Sequence, residues 1–259
     1  MNYWTEVSIK LANQRDYLDQ LFRVYPIIPN LRREIDENIW NQIETAYNRE
    51  QKNELIRSLL KLDLFPIKES YVAYLKRDQN AIERNPRTID RIFSRIRELN
   101  LDEIYAKISE PKETNRQIGP LFRNWIRRGT LGFPVLDFDK FSDTKDDAIL
   151  DASDRAMKDF AHENLNYNRN KGLDFIARKN GKYIIGEAKF LTDFGGHQDA
   201  QFKDAIATVD TEEEVDATTI GILDGVLYIK CNSNMHRYIT QNDKKIFSSL
   251  VLREYLHHL

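Results

Sequence analysis

The sequence predicts an α/β (α+β) fold, with a mainly helical N-terminal region followed by a core of three or four strands and their helices. Apolar residues recur at helical spacing through the first 110 positions, where strand alternation is scarce. Strand-like runs then flank Asn180-Gly181, a pair favoured in two-residue hairpin turns, and others follow near 218–223 and 226–231.

The elements follow in order. Helices are expected at roughly 4–23, 37–48, 50–62 and 69–84, with Pro26, Pro29 and Pro66 between them. Asn85-Pro86 reads as an N-cap and first turn, and Ile89, Ile92, Phe93, Ile96 and Leu99 form one apolar stripe behind it. Residues 114–128 form a basic amphipathic segment with Phe122, Trp125 and Ile126, and Leu131 to Leu136 looks extended. An acidic link from Asp137 to Asp147 supplies the domain boundary, giving 1–136 as a mainly helical region and 137–259 as the core. A helix from Ile149 to about 165, the hairpin, a helix at 197–209, two strands joined at Asp224-Gly225 and a last helix at 244–257 complete the order.

Composition narrows the function. With 41% hydrophobic and 31% charged residues, the chain is globular with a highly charged surface. No segment is apolar enough to span a bilayer and the N-terminus lacks a signal-peptide pattern, so a cytoplasmic protein is expected. One cysteine, Cys231, excludes a disulfide framework and a Cys-rich zinc site and reads as strand filler. The net charge of −2 argues against a protein that coats nucleic acid. Its distribution is uneven: residues 1–130 carry 23 Lys and Arg against 19 Asp and Glu, and much of the surplus lies between Lys112 and Arg128. Arg116, Arg123, Arg127 and Arg128 are therefore candidates to face phosphates, against the plain alternative of a solvated helix face. No glycine-rich phosphate loop, serine nucleophile elbow or histidine metal spacing is present, so neither a nucleotide cofactor nor zinc is expected. Trp4, Trp40 and Trp125 read as packing residues.

The hairpin carries the chemistry. With Asn180 and Gly181 as the turn, Lys179 faces Lys182, and pairing outward from there sets Asp174 opposite Glu187. Lys189 is two residues further and shares their face. Leu173, Phe175 and Ala177 with Ile184, Gly186 and Ala188 make the opposite, core-facing side. Two opposed carboxylates repel unless a cation neutralises them, and an oxygen-only site suits Mg²⁺ completed by water and phosphate oxygens. Lys189 would then position the attacking water and stabilise developing charge in phosphodiester hydrolysis.

Gly-Leu-Asp174, a gap of twelve residues, and Gly-Glu187-Ala-Lys189 resemble the PD-(D/E)xK signature of many type II restriction endonucleases, with Leu173 in place of the leading proline. The resemblance covers about 148–259, and the runs Phe194 to Gln201 and Arg116 to Trp125 are also similar to restriction-enzyme sequences. It implies a restriction-endonuclease-like core, a central mixed β-sheet flanked by helices. It makes Asp174, Glu187 and the Ala188 carbonyl the metal ligands and Lys189 the catalytic lysine. Gln201 and, less directly, Gln198 are implied as contacts for phosphate or the attacking water, and Glu163 as a further acidic member. Its partners would be duplex DNA and, from the symmetry of cutting both strands, a second copy of the chain. Two other readings stay open: a structure-selective or repair nuclease with the same core, and a non-catalytic DNA-binding protein that keeps the fold.

Overall fold

The computed structural model describes residues 1–26, 32–111 and 114–259, without the side chains of 114–116, 212 and 213. Two compact units result, Met1–Ile27 with Thr114–Leu259, and Ile28–Glu113. The units therefore part at 27/28 and 113/114 rather than at 136/137. Helices α1 (Tyr3–Ala12) and α2 (Tyr17–Val24) belong with the sheet, because Ile9, Leu21 and Val24 are buried in the same core as its strands.

The second unit is helical: α3 (Glu37–Asn48), α4 (Lys52–Leu60), α5 (Val72–Arg77), α6 (Ala81–Arg84), α7 (Pro86–Arg97) and α8 (Leu101–Ile108). The stripe read from the sequence is its core, with Ile89, Ile92 and Ile96 fully buried beside Ile43, Leu55 and Leu59. Pro86 opens α7 as expected, but Asn85 does not cap it; its side-chain amide donates to the Ala81 carbonyl instead. Helix α8, not anticipated, has a reciprocal capping box between Asn100 and Glu103.

The first unit continues with α9 (Thr114–Arg127), β1 (Val135–Leu136), α10 (Phe138–Asp143), β2 (Ala148–Leu150), α11 (Asp154–Asn164), β3 (Phe175–Lys179), β4 (Lys182–Leu191), α12 (Gly196–Val209), β5 (Thr218–Gly225), α13 (Asn234–Gln241), β6 (Ile246–Phe247) and α14 (Leu252–His258). The strands lie in chain order in one mixed sheet: β1 parallel to β2, β2 to β3 and β3 to β4 antiparallel, then β4, β5 and β6 parallel. Both faces are covered. Phe175, Ala177, Ile184 and Ala188 join the core that includes α1, α2, α9 and α12, while Ile176 and Ile185 join Phe141, Met157 and Phe160 of α10 and α11 on the other side. Among the described residues no helix is long and apolar enough to cross a membrane.

Several expected elements differ. The first helix breaks at Asp16, whose backbone is left-handed at φ 70°, and 69–84 breaks between α5 and α6. Ala148–Leu150 forms a strand because Ile149 pairs with both Val135 and Ala177; the helix starts only after the Ser153 cap. The expected strand at 226–231 is a 3-10 turn at Val226–Tyr228, since Gly225 at φ 103° turns the chain out of β5. Cys231 is accordingly half-buried outside any strand. Residues 246–247, read as helix, form β6 beside Gly221 and Ile222, and α10 and α13 were not anticipated.

Asp224, fully buried at the end of β5, ties distant segments together. It accepts hydrogen bonds from the Tyr25 hydroxyl at 2.8 Å, the Ser248 hydroxyl at 2.5 Å and the Ser249 amide at 3.2 Å. Burial pushes its carboxyl above the ordinary value. A carboxyl raised by folding contributes most to stability when it is protonated, and that contribution falls as pH rises from the unfolded value through the folded one. The melting temperature of Asp224→Asn relative to the native chain is therefore expected to improve as pH rises from 4 to 8. A difference independent of pH would remove Asp224 as the titrating group.

Candidate active site

The turn at Asn180-Gly181 has both φ values positive, 50° and 74°, as a type I′ turn requires. From it the ladder runs as read from the sequence, Lys179 opposite Lys182 out to Phe175 opposite Gly186. There it ends. The Asp174 amide donates to the Gly186 carbonyl at 3.1 Å, one residue short of the expected partner, so Asp174 leaves the ladder instead of facing Glu187 across it. The same departure breaks the alternation at Leu173, which packs with Ile176 and Ile185 and not with Phe175.

Leaving the ladder lets the Asp174 side chain turn along β4. Its Oδ2 accepts the Ala188 amide at 2.9 Å and the Lys189 Nζ at 2.9 Å. Lys189 Nζ also lies 2.6 Å from Glu187 Oε1, so the three groups meet as the period-two spacing predicts. Glu187 is 1% exposed and its Oε2 has no hydrogen-bond partner among the described residues. Burial, and after it the charge of Asp174, pushes the Glu187 carboxyl upward, while Lys189 and Lys171 pull it back. Burial acts to lower the Lys189 ammonium, but Asp174 and Glu187 outweigh it and hold the group at about 12. Lys189 is thus a cation throughout the neutral range.

Two cavities flank these groups. One, of about 300 Å³, is lined by Asp174, Lys189, Gln201 and, from α9, Ile118, Gly119 and Pro120. The other, of about 350 Å³, shares Asp174 and Lys189 and opens toward Glu187, Lys171 and the start of α11.

The structure brings some of the expected residues here and leaves others away. Gln201 faces the first cavity and bonds the His197 ring at 3.0 Å. Gln198 is buried, its carbonyl accepting the Thr192 amide at 3.3 Å. Glu163 is exposed near the far end of α11, whose opposite end meets the hairpin through the Leu173 amide and Asp154 carbonyl. Arg123 pairs with Asp154, and Arg127 with Asp151 at 2.7 Å, so both brace α9 against the 151–154 segment. Arg128 is exposed and has no ion pair among the described residues, and the Arg116 side chain lies outside them. Trp125 packs beside Phe122, as a core role predicts.

Sequence reasoning missed Lys171 and Asp204. Lys171 Nζ is 3.0 Å from Glu187 Oε1 and also pairs with Asp204 of α12. Asp204 had a signal, lying three residues after Gln201 on one helix face. Lys171 had none, because a loop has no period.

Over residues 2–259 the chain matches the family model described as Tsp45I type II restriction enzyme. The chain belongs to the Tsp45I family of type II restriction enzymes. A member of this family is a site-specific deoxyribonuclease of a restriction system and binds DNA. Type II restriction enzymes generally use a divalent metal. The Tsp45I match spans both units, so the helical second unit is part of what defines the family. Searches of curated proteins and of solved structures each found no match.

Proposed function

We propose that this restriction enzyme hydrolyses both strands of duplex DNA at one defined sequence, with Mg²⁺ as its metal, as a cytoplasmic homodimer. The observation that carries the proposal is the meeting of Asp174, Glu187 and Lys189 at the wall of the second cavity, with Lys189 Nζ within 2.9 Å of both carboxylates.

The residues fit a magnesium site. Glu187 Oε2 is buried without a hydrogen-bond partner among the described residues, and burial together with the neighbouring Asp174 charge holds the Glu187 carboxyl above its ordinary value, a cost that a bound cation would relieve. The Ala188 amide points to Asp174; because the N–H and C=O of a strand residue face the same neighbour, its carbonyl turns to that side too, past the end of β3. Among the described residues no group of three or more His, Cys, Asp or Glu side chains converges. Two carboxylates and a carbonyl suit Mg²⁺, which is held by few protein ligands and otherwise by water and phosphate oxygens. When bound, the cation supplies Lewis-acid activation of water and polarisation of the phosphate. Lys189 has one N–H beyond those it gives to Asp174 and Glu187; it donates this to the attacking water and sets its positive charge beside the phosphate oxygen on which charge develops. Gln201 orients the phosphate from the cavity wall. Glu163 and Gln198 take no part in this arrangement.

The exposed Arg128, just past the end of α9, and Arg116 within that helix contact the DNA backbone, and Arg123 and Arg127 hold the helix in place. The helical N-terminal region contributes recognition or dimer contacts. A homodimer follows from symmetry, one site for each strand of a two-fold target.

The test is digestion of a mixed-sequence plasmid. Discrete fragments are expected with Mg²⁺, none with excess EDTA, and full recovery when Mg²⁺ is restored. A smear, or cutting confined to branched DNA, would reject sequence-specific duplex cleavage.

A further inference from the structure

The second cavity has a chemistry of its own. Beyond the Asp174 and Lys189 it shares with the first, it is walled by Lys158 and Arg155 of α11 and by Asn170 and Lys171 of the loop before β3. Lys158 Nζ is loosely held, 3.3 Å from Asn170 Oδ1 and 3.5 Å from Asp159, and Arg155 is 89% exposed. Lys171 is anchored by Glu187 and Asp204, which fixes its ammonium at the cavity wall. Three carboxylates line it as well, each already paired: Asp154 with Arg123, Asp174 with Lys189, and Glu187 with Lys171 and Lys189. The cavity therefore sets four cations and an amide against three paired carboxylates, next to the reacting groups, and its outer edge of Arg155, Lys158 and Asn170 suits a phosphate rather than a base edge.

We propose that this cavity seats a phosphate of the cleaved strand next to the scissile one, held by Lys158, Asn170 and Lys171. This rests on the reading of Asp174, Glu187 and Lys189 as the cleavage site. A DNA strand presents a phosphate about every 3.4 Å of helix axis, so a strand with one phosphate at Lys189 carries its neighbour toward the adjoining space. Two anchored phosphates fix the direction of the strand, which one alone does not, and so align the scissile bond for attack.

The test uses a duplex containing the cleavage position mapped by sequencing the ends of plasmid fragments. Binding is followed against KCl concentration in EDTA for the native enzyme, Lys158→Gln, Lys171→Gln and the double variant. Both lysines hold one phosphate and the slope counts phosphates neutralised, so the double variant is expected to lose about 0.9 in the slope of log K against log salt, and neither single variant more than that. Replacing one flanking phosphate by an uncharged methylphosphonate should then make native and variant enzymes bind alike. Lys158 touches neither Asp174 nor Glu187, so its variant keeps the reacting groups intact. A native slope in the double variant, a double-variant loss worth two phosphates, or a difference that no single methylphosphonate removes would overturn the assignment while leaving plasmid cleavage in place. A native enzyme that cuts no plasmid would overturn both readings.

Discussion

Replacing Asp174 with Asn is expected to lower the cleavage rate by about a thousandfold or more while leaving the melting temperature nearly unchanged. The amide oxygen can still accept the Ala188 N–H and the Lys189 ammonium, both at 2.9 Å, so the local backbone keeps its hydrogen bonds. Only the charge is lost, and with it half of the carboxylate pair proposed to hold the cation. Single-turnover cleavage of plasmid, with thermal unfolding of the same samples, separates chemistry from folding. Binding to duplex should persist, because phosphate contacts from lysines and arginines carry most of it. A variant that cuts at the native rate would exclude Asp174 from the site.

The largest effect on stability is expected at Gly225. A Cβ added there would lie 2.0 Å from the Leu191 carbonyl oxygen, and backbone cannot give way as a flexible side chain can. The residue's φ of 103° and ψ of −141° also fall where side-chain-bearing residues are strained. Together these put the cost of Gly225→Ala at about 4 kcal/mol, read from urea unfolding. The damage would reach the site, since Leu191 ends the strand that carries Glu187 and Lys189. A loss under about 1 kcal/mol would mean that β4 and β5 separate there more easily than their pairing implies.

The hairpin register was legible because a two-residue turn counts outward without ambiguity, and the pairing agrees from Lys179–Lys182 to Phe175–Gly186. What the count could not show is the end of the ladder. Asp174 leaves it, and that exit lets the side chain reach Lys189. The stripe at Ile89, Ile92 and Ile96 was equally legible, since a helix face repeats in sequence. Short strands were not. Ala148–Leu150 and Ile246–Phe247 carry too few residues for alternation to register, and they are strands only because sheet neighbours complete their hydrogen bonds. Gly225 beside an acidic residue reads as a hairpin turn, yet its backbone serves a 3-10 exit. In the site, Lys171 lay beyond pattern, because its partners Glu187 and Asp204 come from a strand and a helix that only the fold brings to it.

The chain leaves the sheet-bearing unit after α2 and returns to it at α9, and these two helices pack against each other. Residues 28–113 are therefore an insertion: an excursion that departs and comes back at neighbouring points of a continuous scaffold. Loop-closure entropy depends only weakly on the length of such an excursion once its ends are held. The unit bearing the hairpin could thus accept a longer, shorter or differently built passenger at this point without disturbing its own strand order. Whatever the inserted helices contribute, they can diversify independently of the chemistry.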